Sequence, residues 1–163
     1  MYTSPTTLAD TSKIWIYQSD RELTTEEQTI LNLELKNFIS EWTSHNVALT
    51  GSFQVLHNRF MIIMIDESTI SAGGCSLDKC IHFIKTMESR FNVNFLNRML
   101  LAYKENNEIK TLSKSRFEDL LKSGQLNENT IVFNNLIEKK SDLLSNWEVP
   151  VKESWHKAML NNN

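Results

Sequence analysis

The stretch Gly73-Gly74-Cys75-Ser76-Leu77-Asp78 carries the clearest chemical promise in the sequence. Two glycines leading into a helix start leave backbone N–H groups without partners, and these, with the positive end of the helix dipole, favour an anion. Gly73, Gly74, Cys75 and Ser76 are therefore the candidate anion- or ligand-binding residues. A thiol at such a place can have its pKa lowered, which would make Cys75 a nucleophile or a redox sensor. The plainer reading is capping, with Ser76 as an N-cap and Asp78 offsetting the dipole in the first turn. A catalytic thiol needs a base, and the histidines are His45, His57, His82 and His156. His57 is the best geometric candidate, because it ends the strand that pairs with the one leading to Cys75. Cys80 falls on an apolar stripe and reads as a small core residue.

A second constellation closes the apolar run Phe60 to Ile65 with Asp66-Glu67. This has the outline of a Walker B strand, in which the aspartate holds Mg²⁺ and the glutamate polarises water. Asp66 and Glu67, with Asp78, are thus candidates for a metal site. A triphosphate also needs a Gly-rich loop ending in lysine. The four glycines are followed by Ser52, Gly74, Cys75 and Gln125, so no Gly-Lys exists. The acidic pair then reads as the solvated end of a buried strand. No HxH, HExxH or Cys/His set has ligand spacing, so neither a bound metal nor a cofactor is expected. Trp147 and Trp155 are large apolar surfaces that must be buried in the fold or in a partner, which makes them candidate partner-binding residues.

The elements that position these residues follow from periodicity. Lys13 to Ser19 alternates as a strand. Thr24 and Glu27 form a capping box, and Leu31, Leu35, Phe38, Ile39 and Trp42 then make one stripe of a helix. Val47 to Val55 alternates as a half-buried strand, and a turn at His57-Asn58 or Asn58-Arg59 leads into Phe60 to Ile65, whose unbroken apolarity marks a strand covered on both faces. A second amphipathic helix carries Leu77, Cys80, Ile81, Ile84, Met87 and Phe91 inward. Leu96 to Tyr103 and Glu108 to Leu112 read as a hairpin about Asn106-Asn107, Ser113 caps a short helix that stops at Gly124, and Thr130 to Asn134 is another strand. From Lys139 to Leu160 the chain reads as helical pieces broken by Pro150. The expected class is mixed α/β (α+β): a loose N-terminus over 1–12, a ferredoxin-like split β-α-β core over 13–104, and a β-α-β-α extension over 105–163 packed on it.

Several uncommon words occur in one order: WIYQS (Trp15 to Ser19), EWTSH (Glu41 to His45), NRFMIIMIDES (Asn58 to Ser68), GGCSLD (Gly73 to Asp78), TIVFNNL (Thr130 to Leu136) and NWEVPVKESWH (Asn146 to His156). Through them nearly the whole chain resembles a family of small Bacteroidetes proteins that often carry the automatic name "ABC transporter ATPase". The resemblance implies a bacterial cytoplasmic protein and supplies no catalytic residues.

Composition narrows the function classes. The 163 residues hold 17 Lys+Arg against 20 Asp+Glu, a net charge of −3, with 40% hydrophobic residues, four Gly and two Pro. That is a packed chain and not a disordered or repetitive one. Its slight acidity argues against an obligate electrostatic hold on nucleic acid, and the aromatic residues Trp15 and Tyr17 come without an RNP consensus. The longest apolar run is far below the roughly 20 residues that cross a bilayer, and the start lacks the pattern of a signal peptide. Two cysteines five residues apart suit a reducing compartment. The expectation is a cytoplasmic binding or adaptor protein with a protein partner, and the alternative is a small enzyme using Cys75 or an Asp66/Glu67 metal site.

Overall fold

The structure, a computed structural model, describes residues 1–160. It is mixed α/β with antiparallel sheets, and the chain divides into two units: Met1–Leu96 with Glu138–Ser141, and Asn97–Ile137 with the described residues from Asp142 onward. Among the described residues no helix is long and apolar enough to cross a membrane.

In the first unit, β1 (Lys13–Gln18), α1 (Thr25–Glu41), the two-residue strands β2 (Thr43–Ser44) and β3 (Val47–Ala48), β4 (Thr50–Leu56), β5 (Phe60–Asp66) and α2 (Gly74–Phe91) follow in order. The main sheet has the order β1-β5-β4, antiparallel throughout. β5 is the middle strand and buries Phe60 to Ile65 completely, as its unbroken apolarity requires. His57 and Asn58 both take positive φ in the turn between β4 and β5, the conformation that matches the twist of a two-residue hairpin. The capping box of α1 is present on both sides: Thr24 Oγ1 accepts from Glu27 N at 3.1 Å, and Thr24 N donates to Glu27 Oε2 at 2.8 Å. Leu31, Leu35 and Ile39 then bury one face of α1 with Tyr17, Phe53, Ile63, Cys80, Ile84 and Met87 in a common core.

Four expectations differ from the structure. The pattern β-α-β-β-α-β would put a fourth strand, drawn from Leu96 to Tyr103, beside β1. That strand, β6 (Leu100–Glu105), pairs instead with β7 (Glu108–Ser113) and β8 (Ile131–Phe133) in a different sheet. Local pairing explains this: Asn106 and Asn107, both at positive φ, close a tight β6–β7 hairpin at almost no loop-closure cost. The edge of β1 receives residues 138–141 in its place, through Ile14 N to Glu138 O at 2.9 Å and a Lys13–Lys139 bridge. The division therefore falls at Leu96/Asn97, not after residue 104, and the chain crosses it again on either side of 138–141.

The first twelve residues are also not loose. Tyr2 forms a bridge with Gly51, Thr3 N donates to Gly51 O at 2.9 Å, Ser52 Oγ donates to Thr3 O at 2.8 Å, and Leu8 is buried. These bonds occupy the edge of β4 that would otherwise show unpaired backbone groups. Finally, Val47 and Leu49 do not belong to one strand with Val55, because Val47–Ala48 folds back on Thr43–Ser44 as a separate hairpin with His45 and Asn46 at its turn.

The second unit holds a four-stranded sheet, β7-β6-β8-β9, with β9 at Glu148–Pro150. Ser113 caps α3 (Lys114–Lys122), its Oγ accepting from Arg116 N, and Gly124 follows at φ +76, as the sequence suggests. The helical pieces past Pro150 are short 3₁₀ turns, Val151–Glu153 and Trp155–Met159. Phe117, Val132, Val151 and Leu126 centre this unit's core.

Candidate functional site

The first unit contains two adjoining hollows, one apolar and one polar. The apolar hollow is a groove of about 600 Å³ between α1 and α2. From α1 and its C-cap come Glu34, Phe38, Glu41 and Trp42, and from α2 come Asp78, Lys79, His82, Phe83, Thr86 and Met87. Steps of three, four and seven residues keep each set on one helix face, so the two faces meet as walls. The rings of Phe38 and Phe83 stack at 4.7 Å with an interplanar angle of 16°, and Phe38 lies 5.0 Å from Trp42. Both phenylalanines remain half-buried. Trp42 is held in place by its indole N–H, which donates to Ser76 O at 2.9 Å.

The polar hollow, of about 300 Å³, lies between the β2–β3 hairpin and the start of α2. Thr43, Ser44, His45 and Asn46 face Gly73, Gly74, Cys75, Ser76 and Lys79 across it, and Lys79 lines both hollows. Gly73 to Ser76, the four consecutive residues singled out in the sequence, all line this hollow. Their roles differ from those expected. Gly73, not Ser76, is the N-cap of α2, and it offers no side-chain cap. Ser76 is buried and donates its hydroxyl to Thr43 O at 3.0 Å, while Ser44 Oγ accepts from Gly73 N at 3.3 Å. These bonds fasten the hairpin to the helix start. A Cβ on Gly73 would meet His45 Nε2 at 3.4 Å, ordinary contact, and one on Gly74 would meet nothing within 4 Å, so no tight backbone approach demands glycine at either position.

His57 is not the base expected for Cys75. It lies exposed at the turn of the β4–β5 hairpin, a seven-residue strand from the Thr50–Asp66 end that leads to Cys75, or about 20 Å of strand length. The histidine of the Cys75 hollow is His45. It lies at a turn between strands of two residues each, too short for periodicity to reveal, and only the paired positive-φ tendency of a His-Asn turn could have signalled it. Cys75 is exposed; Cys80 is buried, and burial pushes its thiol up to about 12 against a smaller opposing hydrogen bond from Tyr17.

No family model, curated protein or solved structure matches this chain.

The acidic strand end is committed to its own loop. Asp66 Oδ1 accepts from Ser68 N at 2.9 Å, which with the Ser68 hydroxyl holds the carboxyl below its ordinary value, and Glu67 Oε1 accepts from Ala72 N at 3.0 Å. Among the described residues no group of three or more His, Cys, Asp or Glu is placed to hold a metal ion. In the second unit, Trp147 is 4% exposed, with its ring 5.2 Å from Phe133 and its N–H donated to Asn135 Oδ1 at 3.0 Å, so it offers a partner no face. Trp155 is half-buried and stacks on His156 at 4.0 Å.

Proposed function

We propose that this chain is a soluble, cytoplasmic binding or adaptor protein, not an ATP hydrolase, and that the α1/α2 groove receives the apolar face of a helix from a protein partner. The observation that carries the reading is the open groove itself. Phe38 and Phe83 present half-buried apolar surface between the two helices, in a groove of about 600 Å³. A floor of stacked aromatic rings between two helices suits the apolar face of a helix that anchors at i, i+3, i+4 and i+7. The absence of a Gly-Lys loop and the local bonds of Asp66 and Glu67 support leaving nucleotide hydrolysis out. Kinship with the Bacteroidetes proteins belongs to the same proposal and rests on the resemblance carried by Asn58 to Ser68 and Asn146 to His156.

The test is isothermal titration of the full chain with an amphipathic peptide of about five helical turns, leucine-faced, with an uncharged glutamine and serine polar face. Binding in the micromolar range, weakened about tenfold or more by Phe83→Asp with an unchanged circular dichroism spectrum, is the expected result. Phe83→Ser serves as a gentler second variant. No heat with the peptide, or equal affinity in both variants, defeats the reading, as would micromolar binding of Mg-ATP in the same cell.

A second reading, a small thiol enzyme, draws support from His45 and Cys75 lining one hollow. Cys75→Ser separates the two: the groove reading expects peptide affinity unchanged.

A further inference from the structure

We infer that the helix taken up by the α1/α2 groove is cationic. The inference rests on the groove reading and deepens it by naming the partner's charge. Three carboxylates line the groove, Glu34, Glu41 and Asp78, against one ammonium, Lys79. Glu34 is engaged by Arg90, whose Nη1 donates to Glu34 Oε1 at 2.8 Å. The side chains of Glu41 and Asp78 are exposed and make no ion pair or hydrogen bond among the described residues, one on each helix. Lys79 follows Asp78 directly and borders the polar hollow as well as the groove, so it offsets one of the two free carboxylates and leaves the rim net negative. A bound helix shields the groove from water on its apolar side and leaves both carboxylates at the rim. Lysine or arginine residues flanking its leucine stripe meet Glu41 and Asp78 with stems lying along apolar surface and heads in water. A helix flanked by carboxylates meets two like charges instead, and that repulsion discriminates against the wrong partner more than the attraction adds affinity. The whole chain carries a net charge of −3, which acts in the same direction during encounter.

The experiment titrates the full chain with three peptides of one leucine pattern whose polar faces are lysine, glutamine with serine, or glutamate, at two salt concentrations. The lysine-faced peptide is expected to bind about tenfold more tightly than the glutamate-faced one, from two exposed charge contacts, with a difference that shrinks at high salt. Glu41→Lys combined with Asp78→Lys, both at exposed positions, is expected to reverse the order. Equal affinities for the two charged peptides, or preference for glutamate in the native chain, overturn the inference while Phe83-dependent binding of the uncharged peptide leaves the groove reading standing. Failure of all three peptides overturns both. Sedimentation of the chain alone addresses the other occupant: a dimer abolished by Phe83→Asp would place a second copy in the groove and overturn the cationic partner.

Discussion

His156 shows how far one residue's environment can depart from what its type suggests. It is 1% exposed, its Nδ1 lies 2.7 Å from Ser154 Oγ, and its ring packs against Trp155 and Phe117. Burial lowers its pKa from 6.5 to about 4, because a protonated imidazole would lose its hydration there. The folded protein therefore binds fewer protons than the unfolded chain between these values. Its contribution to stability is complete above about pH 6.5 and is lost as the pH falls towards 4, by up to roughly 3 kcal/mol. Urea midpoints measured from pH 7.5 to 4 should fall in this window for the native chain and flatten for His156→Phe; parallel curves would refute the assignment. The sequence could not single out His156 from the other three histidines, since its burial comes from residues far along the chain. It could pick out Gly73 to Ser76, because a glycine pair before an amphipathic run is a local signal. What it missed there was the partner across the hollow, since nothing local ties His45 to Gly73.

Elements were legible where a single segment determines them and obscure where two must meet. Thr24 and Glu27 announce α1 because both halves of the capping box lie within one turn. The groove was not legible: Phe38 reads as one more core residue, Phe83 falls off the stripe of α2, and only the approach of two helices makes them walls. The seating of α1 on the sheet has a discernible constraint in Gly51 of β4. A Cβ at this position would stand 2.9 Å from Met64 O and 3.2 Å from Ile39 Cγ2, so it would collide with the neighbouring strand's backbone and with α1. Gly51→Ala should force the helix away from the sheet and cost about 1–3 kcal/mol, the usual range for overpacking. The alanine's lower unfolded-state entropy offsets less than about 1 kcal/mol of that. Chemical denaturation with a Gly74→Ala control provides the comparison, because nothing lies within 4 Å of a Cβ at Gly74. Equal midpoints for the two variants would mean that the tight passage at Gly51 relaxes freely.

At the scale of the whole chain, the sequence supports a mixed α/β architecture but not the path between its units. Periodicity detects strands, and which edge a strand joins depends on partners that periodicity does not encode. Thus the β-α-β-β-α-β order suggested one continuous core over 13–104, whereas β6 serves the second sheet and a four-residue segment from far downstream completes the first unit. That segment has definite work. Glu138 O accepts from Ile14 N, Lys140 N donates to Ser12 O, Ser141 N donates to Asp10 O, and Lys140 Nζ donates to Leu8 O. A fragment covering 1–104 lacks every one of these partners, so the backbone from Leu8 to Ile14 loses its acceptors and donors while the β4–β5 ladder keeps all of its own. Amide exchange in that fragment should show protection at Ile14 reduced roughly tenfold or more from the full chain, with Ile63 in β5 much less affected. Equal protection at Ile14 in both would mean that residues 138–141 are dispensable to the first unit. A uniform loss across β5 as well would mean that they hold the entire sheet, and not just its β1 edge.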